Sequence, residues 1–144
     1  MLSLPKPLVS GENKPIIFCD FDGTITETDN IIALMKHFAP PEWEGIKDKI
    51  LGQQVSVKQG VGELFSLIPS SKKEELVEFL LEHAKIRAGF ADFVAYTKEQ
   101  GYELYIVSGG IDFFVEPMLA DYDLKIYCNR GNFDDHTIKI EWPY

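Results

Sequence analysis

The amino-acid sequence predicts an α/β protein in which a helical module interrupts a parallel sheet. Two short apolar segments, at 15–19 and 103–107, are each followed directly by a polar turn that contains glycine, and a third lies at 125–128. Helical patterns separate these segments. Strands that alternate with helices form parallel sheets with right-handed crossovers. The predicted order is strand, helical module, helix, strand, helix, strand.

The first strand, at 15–19, is apolar on both faces, which is typical of a central strand covered on both sides. The helical module follows, with apolar faces that predict helices at 31–38 and 42–51. Ser56-Val-Lys-Gln59 and Ser71-Lys-Lys-Glu74 have the form of capping boxes, so each predicts that a further helix begins there. We expect Trp43 and Phe65 to lie in the core of this module.

After Gly89 the pattern changes to that of a compact α/β unit. A helix is predicted at 90–100 with Phe93 facing inward, because Gly101 closes its apolar pattern. The remaining segments are predicted as a strand at 103–107, a helix at 113–119, a strand at 125–128 and a hairpin at 132–142 that turns at Asp134-Asp135.

Composition excludes several classes of partner. The chain has 144 residues with a net charge of −9, so its overall field attracts neither nucleic acid nor an anionic membrane surface. No apolar run approaches the length of about 18 residues that a membrane span requires. The two cysteines, Cys19 and Cys128, lie in apolar segments, where buried free thiols are expected. With no secretory leader evident, we expect a cytoplasmic protein.

The residues that suggest chemistry lie where the first strand ends, at Asp20-Phe-Asp-Gly-Thr24. One carboxylate there can attack phosphorus and form an acyl phosphate, and a second can carry a proton to and from the reacting oxygens. Because two acids repel a phosphate dianion, a bridging Mg²⁺ is expected. The alternative is that Asp20 and Asp22 are ordinary loop acids that cap a helix.

The second predicted strand ends in Ser108-Gly109-Gly110. A hydroxyl and exposed N–H groups at a strand end can hold phosphate oxygens, and parallel strands bring their carboxyl ends to one edge of the sheet. We therefore expect this turn to lie beside Asp20 and Asp22. The alternative for Ser108 is a plain turn at a strand end.

These two segments are similar to the first two motifs of the haloacid dehalogenase superfamily. The similarity covers Ile16-Ile-Phe-Cys-Asp-Phe-Asp-Gly-Thr24 and Tyr105-Ile-Val-Ser-Gly-Gly110. The resemblance implies a phosphatase with Asp20 as nucleophile and Asp22 as general acid and base. Asp20 and the main-chain carbonyl of Asp22 would hold Mg²⁺, and Phe21, Ser108 and Gly109 would bind phosphate.

The resemblance also implies a division into two parts. The family's Rossmann-like parallel sheet, incomplete here, would be formed by 1–29 and 86–144, and a helical cap of the C1 type by 30–85. By their positions near the joins, Glu27 and Arg87 could contact a small phosphorylated metabolite, and a solvated Arg87 at the hinge is an equal alternative. Five further segments resemble the methionine-salvage branch of the family: Pro40-Pro-Glu-Trp43, Ile50-Leu-Gly-Gln-Gln54, Gln59-Gly-Val-Gly62, Ile86-Arg-Ala-Gly-Phe90 and Ile126-Tyr-Cys-Asn129. Phosphoserine phosphatases share the same architecture and are the alternative.

The chain departs from the family pattern in two ways. The family's third motif is a lysine and its fourth is an acidic pair after a strand, and neither has a counterpart here. Asp134-Asp135 follows Gly131-Asn-Phe133 and is better explained as a hairpin turn than as the acidic pair. Lys125 and Lys139 are better explained as solvated lysines than as the third motif. Without later strands, the first strand would form an open apolar edge that invites self-association. The sequence thus predicts a truncated, poorly active phosphatase, with a non-catalytic fragment as the alternative.

Overall fold

The computed structural model describes residues 14–144, and within that range it contains four strands and six α-helices. A 3-10 turn, Ser70–Lys72, precedes α4, and another, Ala120–Tyr122, follows α6. The strands are β1 (Ile16–Cys19), β2 (Glu103–Ile111), β3 (Lys125–Asn132) and β4 (Lys139–Glu141), and the helices are α1 (Asn30–Phe38), α2 (Trp43–Leu51), α3 (Val57–Ser66), α4 (Lys73–His83), α5 (Phe90–Gln100) and α6 (Asp112–Met118).

The strands form one sheet in the order β1-β2-β3-β4. β1 pairs in parallel with β2, from Ile16 opposite Glu103, and β2 pairs in parallel with β3. The predicted α/β class is confirmed. β2 continues four residues beyond the predicted end, because its pairing is interrupted after Val107 and resumes at Ile111. The Ser108-Gly109-Gly110 segment lies in this interruption, outside the regular ladder, and Gly110 N–H donates to Ser108 Oγ there.

Within residues 14–144, helices cover one face of the sheet and leave the other uncovered. The side chains of Leu104, Ile106 and Cys128 are buried on the covered face, which contacts α5 and α6. The physical reason is that the crossovers from β1 to β2 and from β2 to β3 run in the same direction, and right-handed crossovers in one direction place their helices on one side. Along each strand, successive side chains point alternately to this face and to the opposite one.

The uncovered face carries a row of aromatic side chains that crosses the sheet. Phe18, Tyr105, Tyr127 and Tyr144 follow one another with ring centroids 5.7, 6.0 and 5.5 Å apart. Phe18 is 69% exposed. The prediction that the first strand is central and covered on both faces is therefore wrong for the described chain. β1 lies at the edge of the sheet, and no helix packs on its outer face.

The apolar side chains of α1 to α4, among them Trp43 and Phe65, are buried as predicted, and they form one continuous core with the sheet part, where the Phe65 and Phe113 ring centroids lie 6.0 Å apart. Two N-caps that fix this module also agree with the sequence: Asp29 accepts from Ile32 N–H at 3.0 Å, and Ser56 accepts from Gln59 N–H at 3.0 Å. The Gln59 side chain turns instead toward Glu63, so only half of the expected capping box forms.

The start of α4 differs from the prediction. No side chain caps this helix, so the capping box expected at Ser71-Lys-Lys-Glu74 is wrong. The 3-10 turn before α4 is held from outside, because Ser70 N–H donates to the carbonyl of His136 at 2.8 Å and Ile138 N–H donates to the carbonyl of Ile68 at 3.1 Å. The loop between β3 and β4 thus anchors the segment that leads into α4.

The remaining predictions concern the β3–β4 hairpin, two lysines and Phe93. Asp134-Asp135 lies in the exposed loop of the antiparallel β3–β4 hairpin, as expected. Lys125 and Lys139 are exposed, also as expected. Phe93 was predicted to face inward and is 36% exposed. It borders a small cavity beside Cys19, at the uncovered edge of β1, where no later strand or helix packs against it.

Cys128 gives a prediction about alkaline stability. Burial, together with the nearby carboxylates of Asp112 and Glu116, raises the pKa of its thiol from 9.0 to about 12. The folded state therefore favours the neutral thiol. This stabilisation is fully present below pH 9 and is lost as the pH rises from 9 toward 12, because only the unfolded chain ionises there. We expect a loss of about 1.4 kcal/mol per pH unit from this group.

The measurement is urea unfolding at several pH values between 8 and 11, with Cys128→Ala as the comparison. The wild-type unfolding free energy should fall more steeply with pH than that of the variant, since other groups titrate in both proteins. Equal slopes would contradict the assignment.

Candidate active site

The turn after β1 is built around a single acceptor. The carbonyl oxygen of Phe21 accepts hydrogen bonds from the N–H groups of Thr24, Ile25 and Thr26, at 3.1, 2.9 and 3.1 Å. Gly23 adopts φ +72°, a left-handed conformation that favours glycine. The chain therefore reverses within a few residues, which places both Asp20 and Asp22 at the carboxyl end of the sheet.

Asp20 is the more accessible of the two acids. Its side chain is exposed, and Oδ2 accepts one hydrogen bond, from Thr24 Oγ1 at 3.3 Å. In the described part of the chain, the N–H groups of Phe21 and Asp22 have no acceptor and the carbonyl oxygen of Asp22 has no donor. A carboxylate, two free N–H groups and a free carbonyl thus lie within three residues. Phe21 is fully buried, so the groups of this set that line the cavity are those of Asp20 and Asp22, which can contact both an anion and a cation.

Asp22 is held by Asn30, the first residue of α1. Asn30 is fully buried; its Nδ2 donates to Asp22 Oδ1 at 2.6 Å and its backbone N–H donates to the same oxygen at 3.3 Å. Burial raises the pKa of Asp22; the side-chain hydrogen bond from Asn30 opposes this effect, and the charge of Asp29 adds to it. A raised pKa increases the fraction of protonated carboxyl, which suits a group that must donate a proton.

The other oxygen of Asp22 lies against the second predicted motif. A Cβ placed on Gly110 would come within 2.8 Å of Asp22 Oδ2 and 3.0 Å of Ser108 Oγ. Gly110 N–H also donates to Ser108 Oγ at 2.8 Å. The two strand ends therefore meet as the sequence predicted, and a hydrogen at position 110 leaves the room that the Asp22 carboxylate occupies.

A cavity of about 640 Å³ separates this turn from the helical module. Asp20, Asp22 and Gly109 line it on the sheet side. The opposite wall is mostly apolar and comes from α1, α2 and α3, through Ile31, Ile32, Ile50, Leu51, Val57, Val61 and Leu64. Two lysines, Lys36 and Lys47, and one further acid, Asp29, also line the cavity. The cavity therefore offers acids and free N–H groups at one end and hydrocarbon at the other.

The other predicted site residues occupy different places. Ser108 is 8% exposed and lies just behind the cavity surface, beside Asp22. Glu27 is exposed on the segment that leads to α1. Arg87 donates to the carbonyls of Thr24 and Gly23, at 3.0 and 3.2 Å, and lines a separate cavity of about 230 Å³. Neither Glu27 nor Arg87 lines the cavity that contains Asp20.

Sequence reasoning missed three residues that the structure brings to the site. Asn30 was read only as the start of the helical module, although its place directly after the Asp29 cap is a signal that its N–H and side chain could face the preceding turn. Lys36 and Lys47 line the cavity from α1 and α2. They could not be separated from the other surface lysines by pattern alone.

The oxygen atoms at this turn suit Mg²⁺ as a partial ligand set. Asp20 offers a carboxylate and Asp22 a free main-chain carbonyl, and hard oxygen donors are what Mg²⁺ prefers. No cluster of three or more His, Cys, Asp or Glu side chains able to hold a metal occurs in residues 14–144. Because Mg²⁺ usually retains several waters and takes substrate phosphate oxygens, two protein donors are compatible with its binding.

Comparison with known proteins agrees with this geometry. Residues 17–142 match the family model of haloacid dehalogenase-like hydrolases. The chain is 60% identical over 131 residues to the 2-hydroxy-3-keto-5-methylthiopentenyl-1-phosphate phosphatase of Geobacillus thermodenitrificans, an alignment that covers 90% of this chain and 60% of the relative. The chain thus spans about three fifths of the length of the curated relatives that it matches.

Solved structures show the same fold at low identity. A family hydrolase from Salmonella enterica serovar Typhi aligns with a TM-score of 0.75 and 17% identity, covering 96% of this chain and 48% of that one. The phosphoserine phosphatase of T. onnurineus aligns with a TM-score of 0.73 and 19% identity, covering 96% and 68%. At these identities the likeness establishes the fold.

Gly110 provides a test of the packing around Asp22. In Gly110→Ala the added methyl would meet Asp22 Oδ2, Ser108 Oγ and Val115, so we expect a loss of about 1–3 kcal/mol in unfolding free energy and a displaced Asp22 side chain. Gly109→Ala is the matched control, because a Cβ there meets nothing within 4 Å. Chemical denaturation and a crystal structure of each variant check this. Equal effects of the two substitutions would contradict it.

Proposed function

The chain belongs to the haloacid dehalogenase-like hydrolase family, and on that premise we propose that it carries the nucleophile half of a phosphatase site. The proposed reaction is hydrolysis of a phosphate monoester through an aspartyl-phosphate intermediate. The observation that supports it is the cavity that the exposed Asp20 carboxylate lines together with Asp22 and Gly109. A phosphoryl group placed there would have an attacking oxygen and hydrogen-bond donors within one turn.

In the first step, a carboxylate oxygen of Asp20 attacks phosphorus. The bond from Asp20 to phosphorus forms while the bond from phosphorus to the ester oxygen breaks, and that oxygen takes a proton from Asp22. In the second step, Asp22 accepts a proton from water as the water oxygen attacks phosphorus. The Asp20 carboxylate then leaves, so inorganic phosphate is released and both acids return to their starting states.

The phosphate contacts are proposed from the same turn. Free N–H groups aimed at the equatorial oxygens stabilise the charge that develops on them. Phe21 N–H is one such donor, and Ser108 and Gly109 would contribute others from the end of β2. Mg²⁺, held by Asp20 and the carbonyl of Asp22, would offset the repulsion between these acids and the phosphate.

The substrate is proposed to be 2-hydroxy-3-keto-5-methylthiopentenyl-1-phosphate, which places the chain in methionine salvage and amino-acid biosynthesis. The named relatives support this choice, as does the apolar wall of the cavity, which fits a substrate with an uncharged end. A phosphoserine-type hydrolase is the second candidate. Asp29, Lys36 and Lys47 at the cavity margin favour it, because they could pair with the amino and carboxylate groups of phosphoserine.

The division of labour between the two parts is also a proposal. Residues 30–85 would act as the cap that selects the substrate, while 14–29 and 86–144 would hold the reacting groups. The expected first segment ran from 1 to 29, and its residues 1–13 lie outside the described residues. No helix in residues 14–144 is both long and apolar enough to cross a membrane. A cytoplasmic location remains part of the proposal, supported by the small metabolite in the relatives' names.

The test is phosphate release by the 144-residue chain with Mg²⁺, measured side by side on the ketopentenyl phosphate and on phosphoserine. We expect kcat/KM to be at least about tenfold higher for the ketopentenyl phosphate. Asp20→Asn should abolish release, because an amide cannot form the acyl phosphate. Release that survives this substitution would contradict the mechanism. The absence of release from the wild-type chain would favour the non-catalytic alternative.

Self-association through the open edge of β1 is a further part of the proposal. Ile16 is 52% exposed on a strand whose outer edge has no partner in the described chain, and unpaired apolar edges recruit other strands. Light scattering after size exclusion, over a range of concentrations, should show species larger than a monomer. Ile16→Glu should reduce them. Leu81→Glu is the matched control, since Leu81 is equally exposed but lies on α4. An equal response from both variants would count against the edge.

A further inference from the structure

The two segments that join the helical module to the sheet lie side by side. Thr26 and Ile86 form an antiparallel bridge. Glu27 N–H donates to the carbonyl of Lys85 at 3.0 Å, and Arg87 N–H donates to the carbonyl of Ile25 at 2.7 Å. The outgoing linker (24–29) and the returning linker (84–89) therefore form one hydrogen-bonded unit directly beyond the turn that carries Asp20 and Asp22.

Arg87 extends this unit to the turn itself. Its Nε–H donates to the carbonyl of Thr24 at 3.0 Å, and an Nη2–H donates to the carbonyl of Gly23 at 3.2 Å. Together with its backbone bond to Ile25, this one residue binds three successive carbonyls of the turn, from 23 to 25. The planar guanidinium makes two of these contacts at once, which an ammonium group cannot do in the same geometry.

The opposite side of each peptide in the turn is fixed from within. The N–H groups of Thr24, Ile25 and Thr26 all donate to the carbonyl of Phe21, so these amides point toward the centre of the turn. Their neighbouring carbonyls point outward, toward Arg87. The peptides at 23–25 are therefore held on both sides. The N–H groups of Phe21 and Asp22, which precede this clamped part, have no acceptor in the described chain.

We propose that Arg87 is a positioning residue, which fixes the turn bearing Asp20 and Asp22 and ties its shape to the returning linker. The inference rests on the proposed function for the meaning of the turn. Two observations distinguish this positioning role from a direct contact between Arg87 and the substrate. The donors Nε and Nη2 are engaged by backbone carbonyls, and Arg87 lines the 230 Å³ cavity rather than the one that contains Asp20.

The role proposed for Arg87 is also distinct from that of an ion pair. Within residues 14–144 the guanidinium of Arg87 has no carboxylate within 4.0 Å, and the ion pair found there joins Lys72 to Glu75. The contribution of Arg87 is thus directional hydrogen bonding to chosen carbonyls. A neutral side chain that keeps one donor should preserve part of it, and a hydrocarbon side chain should preserve none.

The test uses Arg87→Gln, Arg87→Lys and Arg87→Met in the full 144-residue chain. Amide hydrogen exchange, followed by NMR, reports on the turn without any need for turnover. In Arg87→Met we expect the amides of Thr24, Ile25 and Thr26 to exchange on the order of tenfold faster, while amides in β2 stay unchanged. Arg87→Lys and Arg87→Gln should fall between Arg87→Met and wild type. Lys85→Gln, an exposed cation on the same linker, is the matched control and should not change these amides.

Kinetics supply a readout that a merely structural role would not move. In Arg87→Met, kcat for phosphate release should fall on the order of tenfold with KM little changed, because the reacting groups are misplaced while the cavity wall is intact. Arg87→Lys should recover part of kcat. A rise in KM with kcat unchanged would overturn the proposal in favour of a substrate contact.

The exchange and kinetic arms fail separately. Unchanged turn amides in Arg87→Met, or equal acceleration throughout the protein, would overturn the positioning role whatever the activity. If the wild-type chain releases no phosphate, the proposed function fails, and the exchange arm alone decides whether Arg87 fixes the turn.

Discussion

The carbonyl oxygen of Phe21 is the point on which the described site depends. Three N–H groups converge on it, and this convergence closes the turn after β1 into a tight loop. The preceding N–H groups of Phe21 and Asp22 take no part in this convergence and have no acceptor in residues 14–144. The Phe21 ring is fully buried, so the same residue anchors the turn to the hydrophobic core. Packing and hydrogen bonding at one residue thus determine which polar groups are presented.

Phosphate binding by so acidic a protein, as proposed, would rely on local arrangement. The net charge of −9 opposes the approach of an anion at long range. At short range the balance differs, because free N–H groups, two lysines and hard oxygen donors for a divalent cation surround the same cavity. Asp22 is additionally removed from water by the helical module and held by the amide of Asn30. Two acids of one turn thereby acquire different environments, one exposed to solvent and one half-buried.

The sequence was informative where structure is decided locally. The bounds of α5 agree with the prediction because glycine in the left-handed conformation stands at each end, Gly89 and Gly101. Asp20 and Asp22 were found because a buried strand followed by acids and glycine is a local pattern. Asn30 was missed because its role depends on a contact with a residue eight positions earlier, across a turn whose shape the pattern does not reveal. The exposed face of β1 was missed because burial depends on which elements pack against a strand.

The helical module is held against the sheet part by its linkers, by the β3–β4 hairpin and by packing of α4 on α6, and this limits how it can move. The paired linkers hold it on one side, through Thr26 and Ile86. On another side the loop of the β3–β4 hairpin holds it, through Ser70 with His136 and Ile68 with Ile138. A body attached along two separate borders cannot swing open as a door does on a single hinge. Entry to the cavity is then easier by local bending of the α2–α3 corner, where Leu51 and Val57 are exposed, than by rotation of the whole module.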